Sequence, residues 1–288
     1  MNARGLSQQK RGRLGWLKVF LAGAIFFLLS LVIMVVTGNP NLFPTVVLIG
    51  NFMVPVAYVA FFYERRYLSQ LSMPVTAYIF LYGGLLGVLA SSILEPIFIR
   101  QMDLFSVALI GLIEEGAKIL GVILIASRWK HDSEMDGLIL GAAAGMGFAA
   151  LESMGYAFTA FMASQGSLSA TVGITLMRGI LSPLGHGTWA AILASVLFRE
   201  SHGKHFQING KVIGAYLVVS LLHALWDALP PIIGSIFSAG YDVFIAQTIL
   251  GGIGFVLLWL RWREAKQIQI DEQKKNEMAV DAKVAIGA

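Results

Sequence analysis

The stretch Gly111-Leu-Ile-Glu-Glu-Gly-Ala-Lys-Ile-Leu120 places two adjacent carboxylates, Glu114 and Glu115, and one ammonium, Lys118, inside an apolar run from about Phe105 to Ala126. A run of that length can cross a bilayer as a helix. A charge near the middle of such a helix costs roughly 3 kcal/mol on insertion scales. Three charges within five residues therefore need partners, and the search for them organises the rest of the sequence.

Composition sets the class. Of 288 residues, 57% are hydrophobic and 13% charged, and the mean hydropathy is +0.73. Soluble domains carry about 25% charged residues, so the chain reads as an integral membrane protein. It has no cysteine, which excludes a disulfide framework and thiolate catalysis. The basic residues behind the pI near 9.3 are scattered along loops and tails, which argues against a nucleic-acid partner. The first apolar stretch, 17–37, is too long for a signal-peptide core and lacks a small-residue cleavage site, so it reads as a retained span.

Eight apolar segments emerge, at roughly 17–37, 42–63, 74–94, 105–126, 137–163, 172–198, 212–229 and 241–260. With short connections and no room for a soluble domain, they predict an all-α polytopic membrane bundle of about eight transmembrane helices. Basic residues fall in alternate loops: Arg65 and Arg66, then Arg128 and Lys130, then Arg199, Lys204 and Lys211, together with both tails. This pattern predicts that both termini are cytoplasmic, in a multi-pass protein of the cytoplasmic membrane. The expected division is a basic N-terminus, 1–16, a single transmembrane unit, 17–263, with its core at 105–229, and a cytoplasmic tail, 264–288. Small residues crowd the fifth segment (Gly141, Ala142, Ala143, Ala144, Gly145, Gly147) and mark it as a central helix, because they let backbones approach closely.

Four consecutive segments carry polar residues where lipid would oppose them. To Glu114, Glu115 and Lys118 they add Phe148-Ala-Ala-Leu-Glu152, then Arg178, Ser182 and His186, then His223-Ala-Leu-Trp-Asp227. The three- and four-residue spacings put each group on one helix face. Pro183, Gly185 and Gly187 are positioned to kink the sixth segment beside His186. A uniform rise of 1.5 Å per residue puts Glu115 ~15 Å, Glu152 ~16 Å, His223 ~10 Å and His186 ~22 Å from the outer ends of their segments. Asp136 and Glu95 sit at segment ends and read as interfacial caps.

Carboxylates and histidines in such a set suit the activation of water. In one version Glu115 is a general base, while the histidines orient the water and stabilise the oxyanion. In the other, Glu152, His186 and His223, joined by Asp227 or a glutamate of the fourth segment, bind Zn²⁺. Ser182 has only His186 near it in sequence and is a poor nucleophile. Lys118 reads as a counter-ion and Phe148 as packing. Arg178 reads either as a salt-bridge partner of the site acids or as a binder of a substrate carboxylate. Asp227 reads either as an orienting partner of His223 or as a ligand.

Glu114-Glu115-Gly-Ala-Lys118, Phe148-Ala-Ala-Leu-Glu152, His186 in Gly-His-Gly-Thr-Trp-Ala, and His223-Ala-Leu-Trp-Asp227 resemble, in order and one per segment, the motifs of the PrsW family of intramembrane proteases. The resemblance covers about 105–229. That family is similar in turn to the CAAX prenyl endopeptidase superfamily, from whose pattern Lys118 and Glu152 depart. The resemblance implies hydrolysis of peptide bonds in membrane-anchored protein or peptide substrates, with catalytic roles for Glu114, Glu115, Glu152, His186, His223 and Asp227. Some members cleave membrane-anchored anti-sigma factors. The competing classes are a proton-coupled transporter, which also buries Glu, Lys, Arg and His, and a prenyl-peptide protease. Transport is disfavoured by the lack of a matching polar set in the other half.

Overall fold

The computed structural model describes residues 14–66, 69–127, 133–201, 205–236 and 242–287. The basic positions before residue 14, and Arg128, Lys130 and Lys204, lie outside the described residues. The helices are α1 (Gly15–Thr37), α2 (Phe43–Glu64), α3 (Met73–Phe98), α4 (Leu104–Ala126), α5 (Glu134–Ala163), α6 (Leu168–Leu181), α7 (His186–Glu200), α8 (Gly210–Ile236) and α9 (Asp242–Gly287). Seven spans are long and apolar enough to cross a membrane, with α6 and α7 sharing one. Helix α4 is as long as α1 but falls outside these seven because it carries Glu114, Glu115 and Lys118. The protein is thus an all-α multi-pass bundle.

Helix α5 is its axis. Its span is 83% buried against the other helices, while that of α1 is 11% buried. The cause is glycine at every fourth position facing α7. A Cβ on Gly137, Gly141 or Gly145 would run into the backbone carbonyls of Ala194, Ala190 or His186. On the opposite side, a Cβ on Gly147 would strike the Phe80 carbonyl, and one on Gly84 would strike the Gly147 backbone. Backbones on both sides of α5 therefore touch it directly, as small-residue packing in membranes allows. The π turn at Ile79–Gly83 sits at this contact, and a Cβ on Gly121 of α4 would press on the Gly83 carbonyl.

Two departures from the uniform-helix reading matter for the site. The sixth segment is two helices, separated by a 3₁₀ turn at Ser182–Leu184 and by Gly185 at φ −107°, ψ −115°. His186 thus opens α7 rather than lying mid-helix. Helix α3 continues through Pro96 to Phe98, so Glu95 is a helical residue and not an end cap. The start of α4 is capped by Asp103, which accepts from the Ser106 amide at 2.7 Å. That bond holds the Asp103 carboxyl below its ordinary pKa. Asp136 does not cap α5 with its side chain; that is done by Ser133, while Asp136 accepts from Ser69.

At the end of the bundle that carries the basic loops, an ion network ties four helices together. Arg261 pairs with Glu134 and with Glu264, Arg199 pairs with Glu264 at 2.8 Å, and Lys211 with Glu200 at 3.2 Å. The polar tail is helical to Gly287.

Glycine contacts of this kind are testable by adding volume. Gly141→Val should lower the stability of the detergent-solubilised protein by about 1–3 kcal/mol, the cost of overpacking a close contact. Gly173, which meets nothing within 4 Å, should accept alanine with no more than about 0.5 kcal/mol of change. Thermal unfolding of both variants checks this, and equal losses would contradict the central place of α5.

Candidate active site

Close backbone contacts bring the charged face of α4 against α5, α7 and α8. Gly111 lets α4 lie on α8, since a Cβ there would meet the Ser220 carbonyl and lie 3.4 Å from the His223 Cβ. Tyr216 of α8 donates to the Leu112 carbonyl at 2.6 Å and fixes the register.

Lys118 is the centre of the arrangement. It is 0% exposed, and its ammonium lies 3.1 Å from Glu114 Oε2, 2.7 Å from Glu115 Oε1 and 2.8 Å from His186 Nδ1. An ammonium has three protons and no acceptor, so all three N–H groups are used. The Phe148 ring, centred 4.0 Å from Nζ, covers a further face as a cation–π partner. Phe148 therefore contacts the charge directly and does more than fill space.

The same logic fixes the histidines. Because Lys118 can only donate, His186 Nδ1 accepts. The imidazole proton is then on Nε2, which faces Glu152 Oε2 at 3.2 Å. Glu152 also takes the Arg178 Nη2 at 2.5 Å, and Arg178 Nε donates to Ser153 at 3.0 Å. Arg178 is thus engaged as an ion-pair partner of Glu152. Glu115 Oε1, already accepting from Lys118, lies 3.0 Å from His223 Nδ1. A carboxylate there makes Nδ1 the donor and turns Nε2 outward, 3.6 Å from both Glu114 Oε2 and Asp227 Oδ2. Trp189 packs on both imidazoles, with centroids 4.9 Å from His223 and 5.5 Å from His186.

The site has a sealed side and an open side. A cavity of about 900 Å³ is lined by Glu114, Glu152, His186, His223 and Asp227, and by Arg178. Glu115 and Lys118 lie behind its wall, both at 0% exposure. Of the two adjacent glutamates, Glu114 faces the cavity and Glu115 faces His223. The cavity is also lined by Met102, Asp103, Thr159, Pro230 and Gln247. These belong to the α3–α4, α5–α6 and α8–α9 ends, opposite the ion network, so the cavity opens at that end.

The donor set fits a metal ion through both histidines expected from sequence and through Glu114 of the fourth segment, with Glu152 turned elsewhere. Ligand atoms of Glu114, His186 and His223 lie within 4.8 Å of one another. Ligands of a tetrahedral ion at 2.0–2.1 Å stand about 3.3–3.4 Å apart, and His223 Nε2 and Glu114 Oε2 are near that at 3.6 Å. Glu115 behind His223 is the carboxylate that orients a ligating imidazole. Glu152, expected in this set, is committed to Arg178 and His186. Lys118 shares two of the three donors, so a bound ion requires its ammonium to withdraw towards Glu115.

The single-sequence reading passed over three residues that shape the site. Trp189 is one turn from His186, Ser153 adjoins Glu152, and Tyr156 holds the Arg178 guanidinium 3.9 Å above its ring. All three are helical neighbours of motif residues, which is the signal that could have found them.

A family model for PrsW family intramembrane metalloproteases matches residues 72–260. No curated protein and no solved structure matches the chain.

The ammonium and a divalent ion compete for the same acceptors. Lys118→Met should destabilise the protein by about 3–5 kcal/mol, because it strands two buried carboxylates. Added Zn²⁺ should recover part of that loss. Chemical denaturation with and without metal checks this; a variant as stable as the parent without metal would contradict it.

Proposed function

We propose a course of hydrolysis that proceeds from one premise: the chain belongs to the PrsW family of intramembrane metalloproteases. It is a membrane-embedded endopeptidase that hydrolyses peptide bonds of membrane-associated substrates. The observation that carries the assignment of roles is the chain Glu115–His223–Glu114, in which only Glu114 and His223 Nε2 reach the cavity.

In this reading, Glu114 and His223 Nε2 hold a water between them. The water oxygen attacks the carbonyl carbon of the scissile peptide as Glu114 takes its proton. Glu115 keeps His223 in one tautomer and one orientation. Lys118 and Arg178 stand on either side of His186, and their positive charge favours the anionic tetrahedral intermediate. Collapse breaks the C–N bond, and Glu114 returns the proton to the leaving amine. The products are a carboxylate and an amine. Where a divalent ion such as Zn²⁺ is bound, it would be held by Glu114, His186 and His223 in place of their direct contacts to that water, and would supply a water that ionises near pH ~7. Asp227, one turn from His223 and 39% exposed at its side chain, stands at the cavity side as an acceptor for the same water or for a substrate N–H.

The distribution of basic residues supports a cytoplasmic-membrane location with both termini inside. The cavity then opens towards the outer face, where it would meet the juxtamembrane segment of a single-span protein. A membrane-anchored factor of the anti-sigma type has that form.

Glu114→Gln and His223→Ala should each lower cleavage of a co-reconstituted single-span substrate by about 10²–10⁴-fold, with the variants still inserted and monodisperse. Cleavage retained in both would remove the roles assigned here. Zinc content by elemental analysis should be near one per chain in the parent and reduced in His223→Ala. A metal-free parent that keeps full activity after chelation would contradict the ligand assignment and leave Glu114 as base alone.

A further inference from the structure

Helix α3 presents a second polar surface to the cavity that the hydrolytic groups do not use. Ser91 and Glu95 both line it, four residues apart and so on one face. Ser91 is 4% exposed, and its hydroxyl has no hydrogen-bond partner among the described residues. Buried hydroxyls are nearly always paired, commonly within their own helix, so an unpaired one on a cavity wall points to a ligand group. One turn before Ser91 is Gly87, where a Cβ would contact the Lys118 stem and the Phe148 ring. The line Gly87, Ser91, Glu95 thus runs from beside the buried ammonium towards the open end of the cavity.

Along the wall, Asp103 accepts from Ser106, Glu114 from Lys118 and Glu152 from Arg178. Asp227 faces only the unprotonated Nε2 of His223, at 3.6 Å, and Glu95 faces no donor among the described residues. Glu95 is half-buried, within electrostatic reach of the acids Glu152 and Asp227 and, more distantly, of His223 and Lys118. Its carboxyl makes no hydrogen bond or ion pair among the described residues. Among the described residues, Arg178 is the sole lysine or arginine that lines the cavity, and Glu152 already engages it. A half-buried carboxylate beside other carboxylates is stabilised by an incoming cation.

We propose that Ser91 and Glu95 form a substrate subsite that takes a lysine or arginine side chain close to the scissile bond, with the cation on Glu95 and a substrate N–H donating to Ser91 Oγ. The assignment rests on the protease reading above. The eight helical steps from Gly87 to Glu95 rise ~12 Å, and an extended peptide advances ~3.3–3.6 Å per residue. The basic residue then lies about two to four positions from the scissile bond, on the side of the cavity mouth. The preferred substrate is a membrane-anchored protein with a basic juxtamembrane residue.

The test uses fluorescent single-span peptides in liposomes, with Lys, Ala or Glu walked through the positions around the cleavage point. The parent protein should favour Lys at one register by at least tenfold in kcat/KM over Ala and Glu. Glu95→Gln should erase the preference, and Glu95→Lys should invert it in favour of the Glu peptide, a gain that a misfolded protein cannot show. Ser91→Ala should raise KM more than it lowers kcat. Equal use of the three peptides by the parent, or a Lys preference that survives Glu95→Gln, overturns the subsite. Binding of the same peptides to Glu114→Gln protein, read by anisotropy, separates the two claims. Lys-selective binding that depends on Glu95, together with a parent protein that cleaves none of the peptides, upholds the subsite and removes the protease reading. Cleavage without charge preference does the reverse.

Discussion

A lysine ammonium with no exposure to solvent, inside a membrane bundle, is the constraint on which the rest of the structure depends. Hydrocarbon offers it no acceptor, and a charge moved from water into a low-dielectric interior loses several kcal/mol even after relaxation. Lys118 remains there because three acceptors from two helices close on its three protons and an aromatic face covers it. Those acceptors are themselves the groups to which the proposed hydrolysis assigns its work. Glu115 orients His223, His186 leads on to Glu152 and Arg178, and Glu114 opens to the cavity. The group that makes the site electrically tolerable is therefore the one that fixes its proton pattern.

That pattern requires helices closer than side-chain packing normally permits. The glycines of α5 bring α7 and α3 into backbone contact, and Gly111 does the same for α4 on α8. The break at Ser182–Leu184 lets His186 enter at the first turn of a fresh helix, at the depth of Lys118. A continuous helix would have carried it to another depth. Regular bundle geometry and one local interruption thus serve the same cluster. The division into a sealed half, with Glu115 and Lys118, and an open half, with Glu114, His223 and Asp227, separates holding the charges from meeting the substrate.

Much of this was legible in the residues. Apolar run lengths located the start of each segment to within about four positions, although the last two helices run on to Ile236 and Gly287 past the expected ends at 229 and 260. The small residues of the fifth segment marked the central helix, and four polar groups at helical spacing marked the candidate site. What was not legible depended on rotation and interruption. Glu114 and Glu115 differ by about 100° around one helix, and only the packing of Gly111 on α8 decides which faces the cavity. Depths counted at uniform rise scattered by ~12 Å, because the count for His186 ran through the break before it and the count for His223 began at 229 although α8 runs to Ile236. Glu95 was read as a cap because the third segment was expected to end at residue 94. Pro96, usually a stop signal, is accommodated near a helix end where few backbone bonds remain to be lost. Arg178 had two readings, and only the 2.5 Å contact with Glu152 chose between them.

The most direct test of the central claim is to map the scissile bond. The purified chain would be reconstituted with a single-span substrate tagged at both ends, and the fragments sequenced by mass spectrometry. The predicted result is one cleavage cluster in the part of the substrate span nearest the end where the cavity opens, away from the α7–α8 connection and the ion network of Arg199 and Arg261. No cleavage, or cleavage clustered at the opposite end of the span, would contradict the account.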